Sequence, residues 1–396
     1  MTRIAYLVSH PIQYQAPLLR RLAIEKNIDL TVLFLSDFSV REYTDRGFGQ
    51  PVSCDINLLD GYRSKVLGAL NDNEAIGFWK PWAVDVEREL QDGNYDVLWL
   101  HGYAHHALLR AFAIAKRRGV KVLLRGETHQ TSTRQSPLRN AVKKRMMTRL
   151  FKHVDGFLAI GSANREYYLS HGVDPDKIFM MPYAVDNQRF RSAASPRARD
   201  EVASALDLNP TRPVILFASK LQQRKRPWDL WDAYARLSPN GVDEPAPYLL
   251  FVGDGSERQA LEAAVARTGW KSVRFVGFRN QTELPAYYAV ADVLVLPSER
   301  EPWGLVINEA MNAGTAVIVS DQVGAGADLV KDGVNGYVVP VGDVDALTTR
   351  LQYITGDPAV AKSMGAQSLA RISEWDFEAD VAGLSQALSM CAAASQ

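Results

Sequence analysis

This chain of 396 residues has few cysteines, a formal net charge of zero and no long apolar runs. Its two cysteines, Cys54 and Cys391, are too few and too far apart for a disulfide framework or a metal cluster, which fits a reducing compartment. Basic and acidic residues are equal in number, 45 each, so the chain has no overall positive charge of the kind that would indicate nucleic acid as an obligate partner. No run approaches about 18 uninterrupted apolar residues, which argues against a transmembrane helix.

The N-terminal segment also lacks the features of an export signal. Its apolar run, residues 4–8, is too short for a signal peptide and turns polar at Ser9 and His10. The sequence therefore predicts a cytoplasmic protein. Peripheral contact with the inner face of a membrane stays open as an alternative.

What the chain does have is the composition of a globular protein, with 47% hydrophobic and 23% charged residues, and enough length for two cores. Short apolar runs alternate with segments of helical spacing, which is the pattern of doubly wound α/β domains. In the first half, strands are predicted at 4–8, 30–35, 97–100, 120–124 and 156–160. In the second half, they are predicted at 214–218, 248–252, 273–276, 293–296, 317–319 and 336–339.

A segment of small residues with one proline, 193–196, marks the linker between the two halves. We therefore predict a Rossmann-like domain over 1–188 and a second one over 189–373. The tail, 374–396, has the spacing of a single amphipathic helix.

Polar residues follow three predicted strands of the first half, at the strand ends where open α/β sheets bind ligands. A single histidine in such a loop is more often an ordinary loop or core residue. Here several polar loops follow successive strands, and functional residues concentrate on such loops. The sequence therefore gives equal weight to a ligand site and to ordinary loop residues. The residues concerned are His10, Gln13, Tyr14, His101, Tyr103, Arg125 and Glu127.

Basic and apolar residues are interspersed over 139–152, a predicted helix. A basic amphipathic helix could lie on anionic lipid. The alternative, a solvated basic face over a buried apolar stripe, is the commoner arrangement in surface helices.

Four cations follow the first predicted strand of the second half, within 219–227. They are Lys220, Arg224, Lys225 and Arg226. Cations crowded into one loop repel one another unless an anion joins them, and a diphosphate suits that place. The alternative is a solvated charge run.

Residues 297–321 have the pattern of strand end, loop, helix and strand, with Glu301 in the loop. Glu309 lies about one and a half turns into a helix predicted to start near Trp303 or Gly304. A helix start offers unpaired N–H groups to a phosphate, while carboxylates accept hydrogen bonds from hydroxyls. A nucleotide sugar carries both groups. Two glutamates near a helix start also favour the helix dipole without any ligand, so spacing alone leaves both interpretations open.

The same segment resembles a known family signature. Glu301, Pro302, Gly304 and the Glu309-Ala310 pair, with the strand entry at 314–318, resemble the E-x7-E motif of retaining glycosyltransferases with the GT-B fold, specifically family four. This resemblance implies two doubly wound Rossmann-like domains facing across a cleft. It also implies that the final helix crosses back to the first domain.

Two places depart from the family pattern. Where family four has Pro-Asn-Gly-Val-Asp, this chain has Tyr183 and Ala184 in place of Asn and Gly. The loop over 10–14 does not match the glycine-rich acceptor loop that many members carry.

The resemblance assigns roles to residues of the second half. Lys220 and Lys225 take the Arg and Lys positions of the G-R-x4-K motif that grips the donor diphosphate. Glu309 would accept the ribose hydroxyls, and Glu301 would hold sugar hydroxyls near the reacting carbon. The predicted donor-binding set is Lys220, Lys225, Gly253, Phe278, Arg279, Glu301, Trp303, Gly304, Leu305, Val306 and Glu309.

In the first half, the resemblance implies that the polar loops take the acceptor. His101 would contact the donor sugar or the acceptor, and with Glu301 and Lys225 it forms the predicted catalytic set. The predicted acceptor-binding residues are His10, Gln13, Tyr14, Tyr103, Arg125 and Glu127.

These observations together predict a retaining glycosyltransferase that moves a sugar from a nucleotide sugar to a glycan, lipid-linked or small-molecule acceptor. Synthesis of cell-surface polysaccharide or glycoconjugate is the expected setting. No metal is expected, because fixed cations can stabilise the leaving diphosphate. Two alternatives stay open: a nucleotide-sugar epimerase of the same fold, and a two-domain protein that binds a sugar without chemistry.

Overall fold

A computed structural model describes residues 1–40, 43–45, 50–52, 54–68, 76–82, 85–128, 137–237 and 246–393. The chain divides into two compact units. The first contains Met1–Tyr43, Ile56–Ala184 and Asp376–Gln396, and the second contains Thr44–Asp55 and Val185–Trp375. None of the helices in the described ranges is both long and apolar enough to cross a membrane.

The first unit is built on a seven-stranded parallel sheet with the order β5-β2-β1-β6-β7-β8-β9. A separate two-stranded sheet pairs β3 with β4, and apart from Tyr43 both of these strands fall in the Thr44–Asp55 segment of the second unit. The strands are β1 Thr2–Val8, β2 Ile28–Phe34, β3 Tyr43–Asp45, β4 Gln50–Val52, β5 Arg63–Val66, β6 Val97–His101, β7 Lys121–Arg125, β8 Gly156–Ala159 and β9 Ile178–Met180. The chain builds outward from β1 to β5 and then returns to β6, so the order reverses between β1 and β6. Loops after these two strands flank the crevice where such sheets bind ligands.

The second unit is built on a six-stranded parallel sheet with the order β12-β11-β10-β13-β14-β15. Its strands are β10 Val214–Ala218, β11 Tyr248–Val252, β12 Val273–Gly277, β13 Val293–Leu296, β14 Ala316–Ser320 and β15 Gly336–Val339. Here the order reverses between β10 and β13. The fold class predicted from the sequence, two doubly wound α/β domains, is confirmed.

Helices cover the faces of both sheets, as buried parallel strands require. The helices of the first unit are α1 Gln15–Ala23, α2 Val86–Asp92, α3 His106–Arg117, α4 Pro137–Phe151 and α5 Ser162–Ser170, followed late in the chain by the terminal α15 Phe377–Ala393. Those of the second unit are α6 Asn187–Ala193, α7 Pro196–Ala205, α8 Pro227–Ala235, α9 Arg258–Thr268, α10 Leu284–Val290, α11 Leu305–Met311, α12 Gly326–Leu329, α13 Val344–Gly356 and α14 Pro358–Ile372.

The terminal helix α15 belongs to the core of the first unit. Leu384 and Leu388 on α15 pack with Tyr6 and Trp99, whose strands lie in the middle of the first sheet. The opposite face of the sheet packs against a second apolar cluster that includes Phe151 of α4. The last turns of the chain are therefore part of the fold of the first unit.

A buried ion pair fastens α15 to the sheet. Arg125, at the end of β7, donates from Nη2 to the carboxylate of Asp380 at 3.0 Å and to the carbonyl oxygens of Met181 and Pro182 at 3.0 Å each. The two charged side chains are 1% and 0% exposed. Removing one partner of such a pair leaves the other charge buried and uncompensated.

We expect Asp380→Ala to lower the free energy of unfolding by about 3–5 kcal/mol, because Arg125 would lose its buried counter-charge. Glu378→Ala is the matched control: it removes another arginine-paired carboxylate from the first turn of the same helix, but its side chain is 64% exposed. That control should cost about 1 kcal/mol or less. Urea unfolding of the two variants checks this, and equal losses would contradict it.

Candidate active site

The reversal of strand order in the second unit brings two predicted motifs to one edge of its sheet. Lys220 and Lys225 lie in the loop after β10, and Glu301 lies in the loop after β13. Because β10 and β13 are neighbouring parallel strands, their following loops meet. The two motifs therefore come together although 76 residues separate Lys225 from Glu301.

A pocket of about 280 Å³ lies at this edge. Seven of the predicted donor-binding residues line it: Lys220, Lys225, Gly253, Phe278, Arg279, Val306 and Glu309. Glu301 borders it through its ion pair with Lys225. Residues not in the predicted set also line it, including Ser219, Arg224, Leu284 and Tyr288.

Lys225 is buried and forms an ion pair with Glu301, whose side chain is 14% exposed. Arg224 Nη1 lies 3.9 Å from the same carboxylate oxygen. Burial lowers the pKa of Lys225; Glu301 opposes the shift, and the neighbouring Arg224 and Lys220 add to it. Three cationic side chains are therefore crowded together at the pocket, and a bound anion would stabilise their charged forms.

Glu309 is 8% exposed and accepts a hydrogen bond at Oε2 from the hydroxyl of Tyr288 at 2.5 Å. Burial raises its pKa to about 7, while Tyr288, Arg189 and Gln281 pull in the opposite direction. The carboxyl thus stands near the midpoint of its titration at neutral pH. A ligand that donates hydroxyls would favour its ionised form.

Glycines allow the backbone to form this pocket. At Gly253, φ is 135°, and a Cβ atom there would lie 2.1 Å from the carbonyl oxygen of Ser219. Only a glycine permits that approach between the loops after β11 and β10. Gly304 has φ of 99° immediately before α11, a helix of seven residues.

Three residues of the predicted donor-binding set, Trp303, Gly304 and Leu305, are not in the pocket lining within the described chain. The Trp303 indole is 3% exposed, stacks on Trp375 with centroids 5.7 Å apart and donates to Asn308 Oδ1 at 2.9 Å. Its observed contacts hold the loop before α11 in place.

In the first unit, two of the predicted residues, Tyr14 and His101, lie with Tyr183 around one carboxylate oxygen of a third, Glu127 Oε1. Tyr14 donates its hydroxyl to this atom at 2.7 Å, and the hydroxyl of Tyr183 donates to it as well. His101 Nε2 lies 3.4 Å from the same atom. We call these four residues the Glu127 cluster.

A second set of contacts orients the His101 ring. The hydroxyl of Tyr6 donates to Gln15 Oε1, and Gln15 Nε2 lies 3.3 Å from His101 Nδ1. With the amide in this orientation, Nδ1 accepts and Nε2 keeps its proton, which faces Glu127. The loop after β6 and the start of α1 are tied together in this way.

The remaining predicted residues of the first unit are placed differently. Arg125 is buried against α15, as described above, and does not present its guanidinium to the crevice. Tyr103 pairs with Thr128 Oγ1 at 2.8 Å. His10 pairs with Ser9 Oγ at 2.8 Å, and burial lowers its pKa to about 4. Gln13 is partly buried in the turn before α1.

Comparison with known proteins agrees with this architecture. The model of the family "Glycosyl transferases group 1" matches residues 198–371, and that of the "Glycosyl transferase 4-like domain" matches residues 31–184. The D-inositol 3-phosphate glycosyltransferase of Jonesia denitrificans is 34% identical over 221 residues, which are 54% of this chain and 52% of that protein. The chain thus spans about half the length of this relative.

Two further similarities cover more of the chain. The GDP-mannose-dependent alpha-(1-6)-phosphatidylinositol monomannoside mannosyltransferase of Mycolicibacterium smegmatis is 28% identical over 77% of this chain and 79% of its own length. The Anabaena protein HepE, solved in complex with UDP-glucose, superposes with a TM-score of 0.70 at 19% identity and covers 100% of both chains.

Two Rossmann-like units with parallel sheets and these structural neighbours define the GT-B class of fold. Residues 198–371 match the group 1 family of glycosyl transferases, to which the resemblance at Glu301 and Glu309 already pointed.

The raised pKa of Glu309 has a measurable consequence for stability. Its pKa lies near 4.5 when unfolded and near 7 when folded, so the folded state loses stability relative to Glu309→Gln as the pH rises through this window. We expect the difference in unfolding free energy between wild type and Glu309→Gln to shift by about 2 to 3 kcal/mol between about pH 5 and pH 8, in favour of the variant.

The control is Glu374→Gln in the same unit, whose carboxylate is 74% exposed. It should follow the wild type at both pH values because water solvates its charge. A pH-independent difference between wild type and Glu309→Gln would contradict the assignment of a buried, ionisable Glu309.

Proposed function

We propose that this chain is a retaining glycosyltransferase whose second unit binds the nucleotide sugar donor. The observation that carries the proposal is the lining of one pocket, which brings together Lys220, Lys225 and Glu309, with Glu301 paired to Lys225. Cations suit a diphosphate, and buried carboxylates suit ribose and sugar hydroxyls. A nucleotide sugar presents these groups in one molecule.

Each side chain then has a distinct task. Lys225 and Lys220 contact the diphosphate and stabilise the negative charge that develops as it leaves. Glu309 accepts the ribose hydroxyls, and Phe278 and Arg279 border the base. Glu301 holds the sugar hydroxyls and keeps Lys225 in place.

The transfer itself is a front-face displacement, as the family resemblance implies. The bond between the sugar carbon and the diphosphate oxygen breaks while the bond to the acceptor oxygen forms on the same face of the sugar. The proton of the acceptor hydroxyl passes to the leaving phosphate oxygen, and His101 contacts the donor sugar or the acceptor. With lysine cations supplying the charge stabilisation, we propose that no metal takes part.

The names of similar proteins suggest which donors to test. HepE was solved with UDP-glucose, and the Mycolicibacterium relative is named as GDP-mannose-dependent. We propose acceptors among glycans, lipid-linked glycans and small hydroxylated molecules, in the synthesis of cell-surface polysaccharide or glycoconjugate. The phosphatidylinositol glycolipid in that relative's name is one such acceptor.

The test is nucleotide release from UDP-, GDP-, ADP- and dTDP-sugars, each with and without EDTA and a panel of acceptors. We expect one donor class to be consumed with an unchanged rate in EDTA, and the glycoside product to retain the anomeric configuration of the donor. An epimerised donor without glycoside product would indicate the epimerase. Binding of the donor without nucleotide release would indicate a sugar-binding protein.

Replacing Lys225 with Met removes the cation while keeping an apolar stem. The loss of a charge-assisted contact to the diphosphate should lower kcat/KM roughly 10- to 150-fold. The double variant Lys225→Met/Glu301→Gln separates two explanations, because it also removes the partner carboxylate. Near-normal kcat/KM in the double variant would mean that Lys225 only neutralises Glu301, and would contradict the diphosphate assignment.

We also propose that α4 lies on anionic membrane. Val142 and Met146, one helical turn apart, are 61% and 62% exposed, while Met147 is buried in the core of the first unit. The exposed Lys143 and Lys144 adjoin the exposed apolar pair. An exposed apolar pair among lysines is the arrangement of interfacial helices.

Flotation with vesicles containing anionic lipid checks this. Each basic residue near such a surface contributes about 1 kcal/mol, so Lys143→Ala/Lys144→Ala should weaken binding roughly 30-fold. Vesicles of neutral lipid are the control and should not bind. Absence of flotation with anionic vesicles at low salt would end the proposal, leaving α4 as a solvated basic helix.

A further inference from the structure

The Glu127 cluster has an unequal distribution of hydrogen bonds between its two carboxylate oxygens. Oε1 receives the hydroxyls of Tyr14 and Tyr183 and lies 3.4 Å from His101 Nε2. Oε2 makes no hydrogen bond to any residue in the described parts of the chain. The Glu127 side chain is 41% exposed, so a ligand can reach this side chain.

The charge of this carboxylate persists over the working pH range. Burial opposes ionisation of Glu127, but the hydrogen bonds that its carboxylate accepts from His101 and from both tyrosyl hydroxyls lower its pKa to about 2. The guanidinium of Arg125, two residues before Glu127 in the chain, is committed to Asp380 and two backbone carbonyls, and its side chain is 1% exposed. It cannot turn outward to meet an anion without breaking its buried ion pair.

Tyr183 links the cluster to the core. Its hydroxyl donates to Glu127, and its ring lies beneath the Arg125 guanidinium at 4.8 Å from the centroid. This is one of the positions where the chain departs from the family pattern, with Tyr in place of Asn. The larger side chain reaches the carboxylate, and its ring fills the space beside Arg125.

From this geometry we infer that Glu127 binds the acceptor through Oε2, that the acceptor presents neutral, neighbouring hydroxyls there, and that Tyr14 and Tyr183 are positioning residues for the carboxylate. The inference rests on the proposed glycosyltransferase function and specifies its acceptor. A carboxylate with an open oxygen accepts hydrogen bonds from hydroxyls. It repels a phosphate placed against it, and the Arg125 guanidinium, held by Asp380, does not offset that charge.

The acceptor class therefore differs from that in the name of the Jonesia relative, an inositol 3-phosphate glycosyltransferase. At the Glu127 cluster, a free polyol or a neutral sugar is preferred over its phosphorylated form. The preference comes from one uncompensated negative charge, so it can be removed by a substitution that keeps the shape of the side chain.

The experiment compares matched acceptor pairs with the donor found in the panel above. The pairs are myo-inositol with inositol 3-phosphate and glucose with glucose 6-phosphate. Acceptor transfer is measured together with slow donor hydrolysis in the absence of acceptor. The enzymes are wild type, Glu127→Gln, Tyr183→Phe and the control Tyr95→Phe.

Tyr95→Phe is a matched control because Tyr95 also donates its hydroxyl to a glutamate of the first unit, Glu89, at 2.8 Å. We expect Glu127→Gln to lower kcat/KM for the neutral acceptor roughly 10- to 150-fold. Tyr183→Phe should raise the acceptor KM while leaving the donor KM unchanged. Tyr95→Phe should behave like wild type in every assay.

Three outcomes would overturn the inference: a wild-type preference for the phosphorylated member of each pair, no transfer to any neutral acceptor, or equal acceptor kinetics for Glu127→Gln and Tyr95→Phe. The proposed function fails separately. The proposed function is contradicted if wild type neither binds nor consumes any nucleotide sugar. Donor hydrolysis without the expected acceptor selectivity contradicts only the inference about Glu127.

Discussion

The ion pair between Lys225 and Glu301 is the contact on which the pocket of the second unit depends. Both side chains are largely buried, and neither charge could be held there alone at low cost. Pairing fixes the loop after β10 against the loop after β13. The pocket lies where strand order reverses, so the topology supplies the crevice and the ion pair sets the shape of its wall.

The two units present opposite electrostatics at the corresponding ends of their sheets. In the second unit, Lys220, Arg224 and Lys225 gather at the loop after β10, which suits an anionic donor. In the first unit, the Glu127 carboxylate is partly exposed, and Arg125 is buried in an ion pair with Asp380. A transferase needs this kind of division, because only the leaving group is highly charged while the attacking group is a neutral hydroxyl.

Much of the fold and of the donor pocket could be predicted from the sequence, because short stretches of the chain determine the strands and carry the motifs of the pocket. Buried parallel strands are apolar runs, but β5 was missed because Arg-Ser-Lys-Val forms a largely exposed edge, and β9 because it has three residues. The cations and glutamates follow strand ends and were found as motifs. The burial of Arg125 depends on Asp380, 255 residues away, and no local pattern reveals it. Tyr288, in the apolar-looking helix α10, likewise reaches Glu309 only through tertiary packing.

The most direct test of the donor site is a crystal structure of the chain with an intact nucleotide sugar bound, UDP-glucose or GDP-mannose. We predict that Lys225 Nζ lies within hydrogen-bond distance of a diphosphate oxygen and that Glu309 accepts from the ribose hydroxyls. A diphosphate bound away from the loop after β10, with Lys225 still paired only to Glu301, would contradict the central claim that this ion pair shapes a donor site.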